Sequence, residues 1–235
     1  MKVHETFRGA EAAAPSESHL ATRTLAAFLP LTAALLMFGE VLTPHGLDRP
    51  TVTISAVEDA LPIAMAHTNE LYISNLMVIF GLGGLAVSFA AIATLTRGRG
   101  VPLGVLAAVL GGTAAFSGAL ANMLVGFNLA SAAASGEPAS AAAPVLLAGD
   151  TSLVSKFLLT VYLGGGLVAT ALMGVALWRS ATVPRWLPVL FGLGLVLAVS
   201  SMPGVTATVM QLPFAVAMVL MSTRIWNEQS SSPTA

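Results

Sequence analysis

Glu40 is the residue of this chain best suited to acid–base chemistry. It follows Met37-Phe38-Gly39 and precedes Val41-Leu42, at the end of a long apolar run. A carboxyl held away from water favours its neutral form, and a neutral acid can pass a proton to a bound molecule. Other polar side chains stand at comparable places. His67 and Glu70 precede the second apolar run and Asn75 lies just inside it. Asn122 and Asn128 lie near the far end of the third run, and Asp150 and Lys156 open the fourth. Thr206, Thr208 and Gln211 open the last, with Pro213 behind them. The pattern makes Glu40 the candidate catalytic acid and Glu70, Asn75, Asn122, Lys156 and Gln211 the candidate substrate-binding lining. Lys156 is also a candidate ion-pair partner for Glu40, Glu70 or Asp150. His67 and Glu70 are three apart and share a helix face, a spacing that suits an ordinary surface pair equally well.

The elements that must position these groups are membrane helices. The chain is 56% hydrophobic and 9% charged, with a mean hydropathy of +0.85. A soluble domain carries about 25% charged residues. Backbone polar groups in lipid must be satisfied internally, by helices or a closed barrel. The apolar runs are continuous and not alternating, so helices are predicted. Each crossing of a hydrocarbon core about 30 Å thick takes roughly 20 apolar residues, and the sequence supplies six runs: about 25–42, 71–95, 102–127, 152–178, 186–201 and 205–225. The fold class is therefore all-α, a polytopic bundle of six transmembrane helices over residues 23–226. Disordered cytosolic tails are expected at 1–22 and 227–235. In the loop after the first run, Ser55 and Glu58 have capping-box spacing, and Ile54, Val57, Leu61, Ala64 and Met65 recur at helical intervals. They predict a short amphipathic helix near 54–66, lying on the membrane surface and interrupted near Pro62. Residues 130–149, rich in Ala, Ser and Pro, read as a mobile loop.

Charge orients the bundle. Of the ten basic residues, Lys2, Arg8, Arg23, Arg97, Arg99, Arg179, Arg185 and Arg224 fall on one side, and only Arg49 and Lys156 on the other. Basic residues in short loops stay in the cytosol, which places both termini inside and the protein in the plasma membrane. Trp178, Trp186 and Trp226 fall at the same boundary, where amphipathic rings settle. Glu40 and the other polar groups then lie in the outer half. The excess of arginine over lysine and the abundance of alanine suit a GC-rich bacterial genome.

Two further patterns concern packing. Gly111, Ala115, Gly118, Asn122 and Gly126 form one face of the third helix. Small residues let helices approach, and a polar one can hydrogen-bond across the joint. This predicts that the third helix is central, with Ala119 on its opposite face and Asn122 serving as packing contact before pocket lining. Pro213 leaves a carbonyl near Val209 underbonded, close to Gln211. Phe80-Gly81-Leu82-Gly83-Gly84-Leu85, leading to Arg97 and Val101-Pro102, is echoed by Tyr162-Leu163-Gly164-Gly165-Gly166-Leu167, leading to Arg179 and Val183-Pro184. The echo is that of a duplicated helical hairpin or of convergent Gly-rich composition.

Several function classes are argued against. With no cysteine, disulfides, iron–sulfur clusters and thiolate chemistry are absent. His4 and His19 lie in the tail, His45 in a loop, and only His67 approaches a helix, so bis-histidine haem and zinc-protease motifs are not formed. No Gly-rich phosphate loop ends in Lys-Ser/Thr, and Ser117 of Phe116-Ser117-Gly118 has no histidine base. No ionisable residue sits at mid-membrane, where ion-coupled transport needs one. A net charge of −1 gives no case for nucleic acid. No cofactor and no metal is expected. The partners expected are membrane lipid and a lipophilic small molecule.

The outer loop with acidic residues before the second helix, together with Leu177-Trp178-Arg179 ahead of Val183-Pro184-Arg185-Trp186, resembles the layout of bacterial six-helix membrane proteins of unknown function. That likeness covers about residues 24–225 and implies a helical bundle without naming a reaction. Size, helix content and a helix-end carboxylate are also similar, generically, to small membrane-bound terpene cyclases. The likeness implies a cyclase or isomerase type of enzyme acting by acid catalysis on an isoprenoid- or lipid-like molecule. The alternative is a non-catalytic membrane subunit, immunity or assembly protein.

Overall fold

The computed structural model describes residues 17–44, 47, 54–200 and 205–230. Lys2, Arg8, His4, His45 and Arg49 lie outside the described residues, as do the side chains of His19, Ser55 and Thr206. Among the described residues every regular element is helical and no strand occurs.

Five helices are long and apolar enough to cross a membrane. They are α1 (Glu17–Leu42), α3 (Thr68–Ala93), α4 (Val101–Ser135), the span Leu153–Ser180, and α9 (Val205–Ser230). The span Leu153–Ser180 is built from α6 (Leu153–Thr160), a π turn (Val161–Gly165) and α7 (Gly166–Ser180). The remaining apolar run, the fifth along the chain, forms α8 (Trp186–Ser200), of 15 residues. At 1.5 Å per residue it rises about 22 Å, short of the roughly 30 Å of a hydrocarbon core.

Contacts between these helices run in a closed cycle: α1 against α3, α3 against α4, α4 against α7, α7 against α8, α8 against α9, and α9 back against α1. Small residues set the close approaches. A Cβ at Gly81 would meet Leu36, one at Gly111 the Phe89 ring, and one at Gly194 the backbone of Phe214. The interior is filled by Phe89, Phe191 and Phe214, with Met173, Met218 and Met221. The Phe89 and Phe191 rings meet edge-on at 6.0 Å, and Phe191 and Phe214 lie 5.7 Å apart. α4 touches α2 (Ile54–Ala66), α3, α5 (Ala139–Asp150), α6, the π turn and α7. Ala119, assigned by spacing to its outward face, is buried at 8% exposure. The apolar face of α4 is wider than its glycine stripe because α4 has neighbours on several sides.

The basic turns gather at one end. α1 runs antiparallel to α3, since Gly39 lies beside Ser74 and Thr32 beside Gly84. Ser222 Oγ donates to the Ala26 carbonyl at 2.8 Å, which joins the start of α1 to the end of α9. The backbone N–H of Arg97 donates to Ser180 Oγ at 2.9 Å, and Thr182 Oγ1 to the Leu95 carbonyl at 2.7 Å, which ties the α3–α4 turn to the α7–α8 turn. Arg23 lies over the Trp226 ring and Arg185 over the Trp178 ring.

Three local expectations are corrected. Residues 130–149 are not a loop. α4 continues to Ser135 and ends at Gly136, whose φ of 67° is the left-handed conformation glycine accepts, and α5 (Ala139–Asp150) follows. Alanine is the strongest helix former, and Ala142, Ala143 and Leu146 bury one side of α5. Second, α2 (Ile54–Ala66) runs through Pro62 without interruption. Its Val57, Leu61 and Ala64 pack with Ala130, Ala133, Ala142, Ala143 and Leu146 in a small second core at the end opposite the basic turns. Met65 stays exposed. Third, α1 begins at Glu17, so residues 17–22 are helical where a disordered tail was expected.

Candidate functional site

Several polar groups of the bundle interior stand on α1, α3, α4 and the π turn. Gly39 brings α1 against α3, because its bare Cα faces Val78 and the Ser74 carbonyl. Ser74 Oγ donates to the Gly39 carbonyl at 2.8 Å, Thr43 Oγ1 donates to the same carbonyl at 3.1 Å, and the two hydroxyls are 3.0 Å apart. This hydroxyl bridge holds the last turn of α1, and so fixes where Glu40 begins its side chain. Oε2 of Glu40 is buried.

Tyr162 comes toward Glu40 from the π turn, close enough for the carboxylate to act on it electrostatically. Its ring lies on Gly118 of α4, where a Cβ would meet Tyr162 Cδ2 at 2.5 Å and Cε2 at 2.9 Å. The π turn inserts one residue into the helical ladder, a distortion found often at functional sites, and it coincides with the Gly164-Gly165-Gly166 run. Two turns along α4, Gly126 receives the carboxamide of Asn75. Asn75 is nine-tenths buried, and its Nδ2 has no hydrogen-bond partner. Between the two glycines, Asn122 Nδ2 donates to the Gly118 carbonyl at 3.0 Å. This is a bond within α4, so the expected bond across helices is not made by that group.

Thus Asn75 and Tyr162 are brought onto α4, at Gly126 and Gly118, on either side of Asn122, and Glu40 stands on the neighbouring α1, within electrostatic reach of Tyr162. Gln211 is buried and its Oε1 has no partner, but it stands on α9, whose neighbours in the cycle are α1 and α8. Glu70 is exposed and bonds His67 Nδ1 at 2.9 Å, the surface pair that its spacing also allowed. A carboxylate in the first turn of a helix is favoured there by the dipole. Lys156 is exposed and forms no ion pair among the described residues, so the pairings considered for it with Glu40, Glu70 and Asp150 are absent. Among the described residues no three His, Cys, Asp or Glu side chains gather.

Sequence reasoning passed over Tyr162, using it only as part of a glycine-rich echo. The available signal was a phenol inside an apolar span, in a chain with only two tyrosines. A buried tyrosine hydroxyl usually seeks a partner. The echo itself is uneven. Gly81 and Gly84 are filled by Leu36 and Thr32, whereas Gly164 faces open space and Gly165 only approaches Ala114.

Chemically, the joint offers a carboxyl, a phenol and an amide donor in surroundings of low dielectric, where each hydrogen bond to a guest counts for more than in water. Comparison with family models, with curated proteins and with solved structures finds no match.

Proposed function

We propose that this protein is a membrane-embedded enzyme that binds a lipophilic, isoprenoid- or lipid-like molecule from the outer leaflet and acts on it by acid catalysis. Glu40 is the proton donor. Tyr162 and Asn75 hold the polar end of the substrate, and Asn122, Gln211, Glu70 and Lys156 are further candidates along the path from the outer surface. The observation that carries this reading is the Nδ2 of Asn75, a buried donor without a partner. An unmade hydrogen bond in such a place costs about 1–3 kcal/mol, and a substrate oxygen would recover it. Expression beside the deletion strain, with metabolite profiling, identifies the molecule. Glu40→Gln keeps the shape of the side chain and removes its titrating proton. It should abolish the conversion while leaving folded yield and thermal stability unchanged. Full activity in that variant removes the enzyme reading.

A non-catalytic membrane subunit, immunity or assembly protein is the second reading. One observation favours it: two sizeable crevices, of about 370 Å³ between α1 and α3 and about 300 Å³ between α7 and α8, open on the outer faces of the bundle and not at Glu40.

The same proposal includes six crossings with both termini cytosolic. α8 completes the cycle between α7 and α9, and its shortness is of a kind accommodated by local thinning of the bilayer. Arg23, Arg97, Arg179 and Arg185 gather at one end, as the positive-inside rule requires of cytosolic turns. The chain has no cysteine, so single-cysteine variants report cleanly. Arg99→Cys should resist an impermeant maleimide in intact cells, and Ser135→Cys should react. Labelling of Arg99→Cys from outside overturns the topology.

A further inference from the structure

A groove between α7 and α8 opens at the basic end of the bundle. Ala171, Gly174, Val175, Pro188 and Val189 line it, Trp178 and Arg179 stand at its rim, and it measures about 300 Å³. Its floor is open because Gly174 has no side chain and nothing within 4 Å would meet a Cβ there. Arg185, from the following turn, holds its guanidinium 5.3 Å from the centre of the Trp178 ring. Arg179 and Arg185 form no ion pair among the described residues. An apolar slot running toward the membrane interior thus ends beneath two uncompensated guanidinium groups and an amphipathic ring. Guanidinium forks suit phosphate oxygens, and tryptophan settles at headgroup level.

We propose that this groove is a binding site for one anionic phospholipid of the facing leaflet, with an acyl chain along Ala171, Gly174 and Val189 and the headgroup phosphate on Arg179 and Arg185. The site is independent of any chemistry at Glu40. Charge complementarity selects the occupant, since a zwitterionic lipid carries its own cation and gains less from two arginines.

The test uses Trp178 as sole reporter, in the full chain with Trp186→Phe and Trp226→Phe, reconstituted in phosphatidylcholine vesicles. Dibrominated phosphatidylglycerol should quench Trp178 at a several-fold lower mole fraction than dibrominated phosphatidylcholine. Arg179→Gln and Arg185→Gln should each reduce that preference about fivefold. Gly174→Leu, which fills open space and leaves the fold intact, should block the quenching. Equal curves for the two lipids, or a preference unmoved by both arginine changes, overturn the site. If the reporter does not fold, the unmodified chain, delipidated and mixed with equimolar phosphatidylglycerol and phosphatidylcholine, is examined by native mass spectrometry. Preferential retention of one phosphatidylglycerol, lost in Arg179→Gln, supports the proposal, and equal retention refutes it.

Discussion

From mid-bundle toward the basic end, the interior is filled by Phe89, Phe191 and Phe214 with Met173, Met218 and Met221, all nearly or fully buried. Toward the other end it holds Glu40, Asn75, Tyr162 and Gln211. The first region has rings in contact, and its buried hydroxyls are bonded: Ser88 Oγ donates to Thr32 Oγ1 and to the Gly84 carbonyl, and Thr170 Oγ1 donates to the Gly166 carbonyl. The second keeps an amide nitrogen of Asn75 and an amide oxygen of Gln211 without partners. Both regions are built on the same helices, with the same glycine-mediated approaches, so the difference is not one of architecture. It lies in which side chains the glycines admit: Gly111 admits a phenylalanine ring, whereas Gly118 and Gly126 admit a tyrosine and an asparagine. Close packing that costs nothing is what stability selects. Burial of an unmade hydrogen bond works against stability, and it is tolerated where something else is gained.

The sharpest way to break this comparison is to block an approach on α4. Gly111→Leu sets a side chain against the Phe89 ring, whereas at the adjacent Gly112 the nearest contact of a Cβ is Ala86 at 4.0 Å. Gly111→Leu should abolish folded yield and Gly112→Leu should barely change it, read by size-exclusion profile after mild extraction. Equal yields would mean that α4 does not set the spacing. Next in size, Phe191→Ala removes the ring between Phe89 and Phe214. A cavity of that kind costs about 3 kcal/mol or more, so the unfolding transition in denaturant should move accordingly. The smallest effect on stability is expected in the polar region. Asn75→Leu replaces an amide whose Nδ2 makes no bond with an apolar group of similar size, so stability should hold or rise slightly. If the region is a site, that substitution removes activity. A large loss of stability in Asn75→Leu would instead mean that the amide is a structural tie.

Much of the frame was legible in the residue order, because hydropathy over 20 residues is a local property. All five long apolar helices coincide with runs read from the chain, within a few residues at most ends. The cap was not. Residues 130–149 have the composition of a linker, and their helical state follows from Ala142, Ala143 and Leu146 finding Val57 and Leu61 of α2, a contact between distant segments. Ala119 was misassigned because a glycine stripe marks one neighbour of a helix and does not count the others.

By itself, the sequence determined long apolar helices of a length and composition fit to cross a membrane, with the basic turns between them in phase. Length, hydropathy and charge act segment by segment, and lipid allows the backbone only helices or a closed barrel, between which continuous, non-alternating apolar runs choose helix. Only the tertiary structure decided that Tyr162 packs on Gly118, that Asn75 fits the notch of Gly126, and that Glu70 and Lys156 stay at the surface. Those outcomes depend on which helix faces which, and on a π turn that swings Tyr162 onto Gly118. Pairings of that kind arise from packing between segments far apart in the chain, and no local pattern carries them.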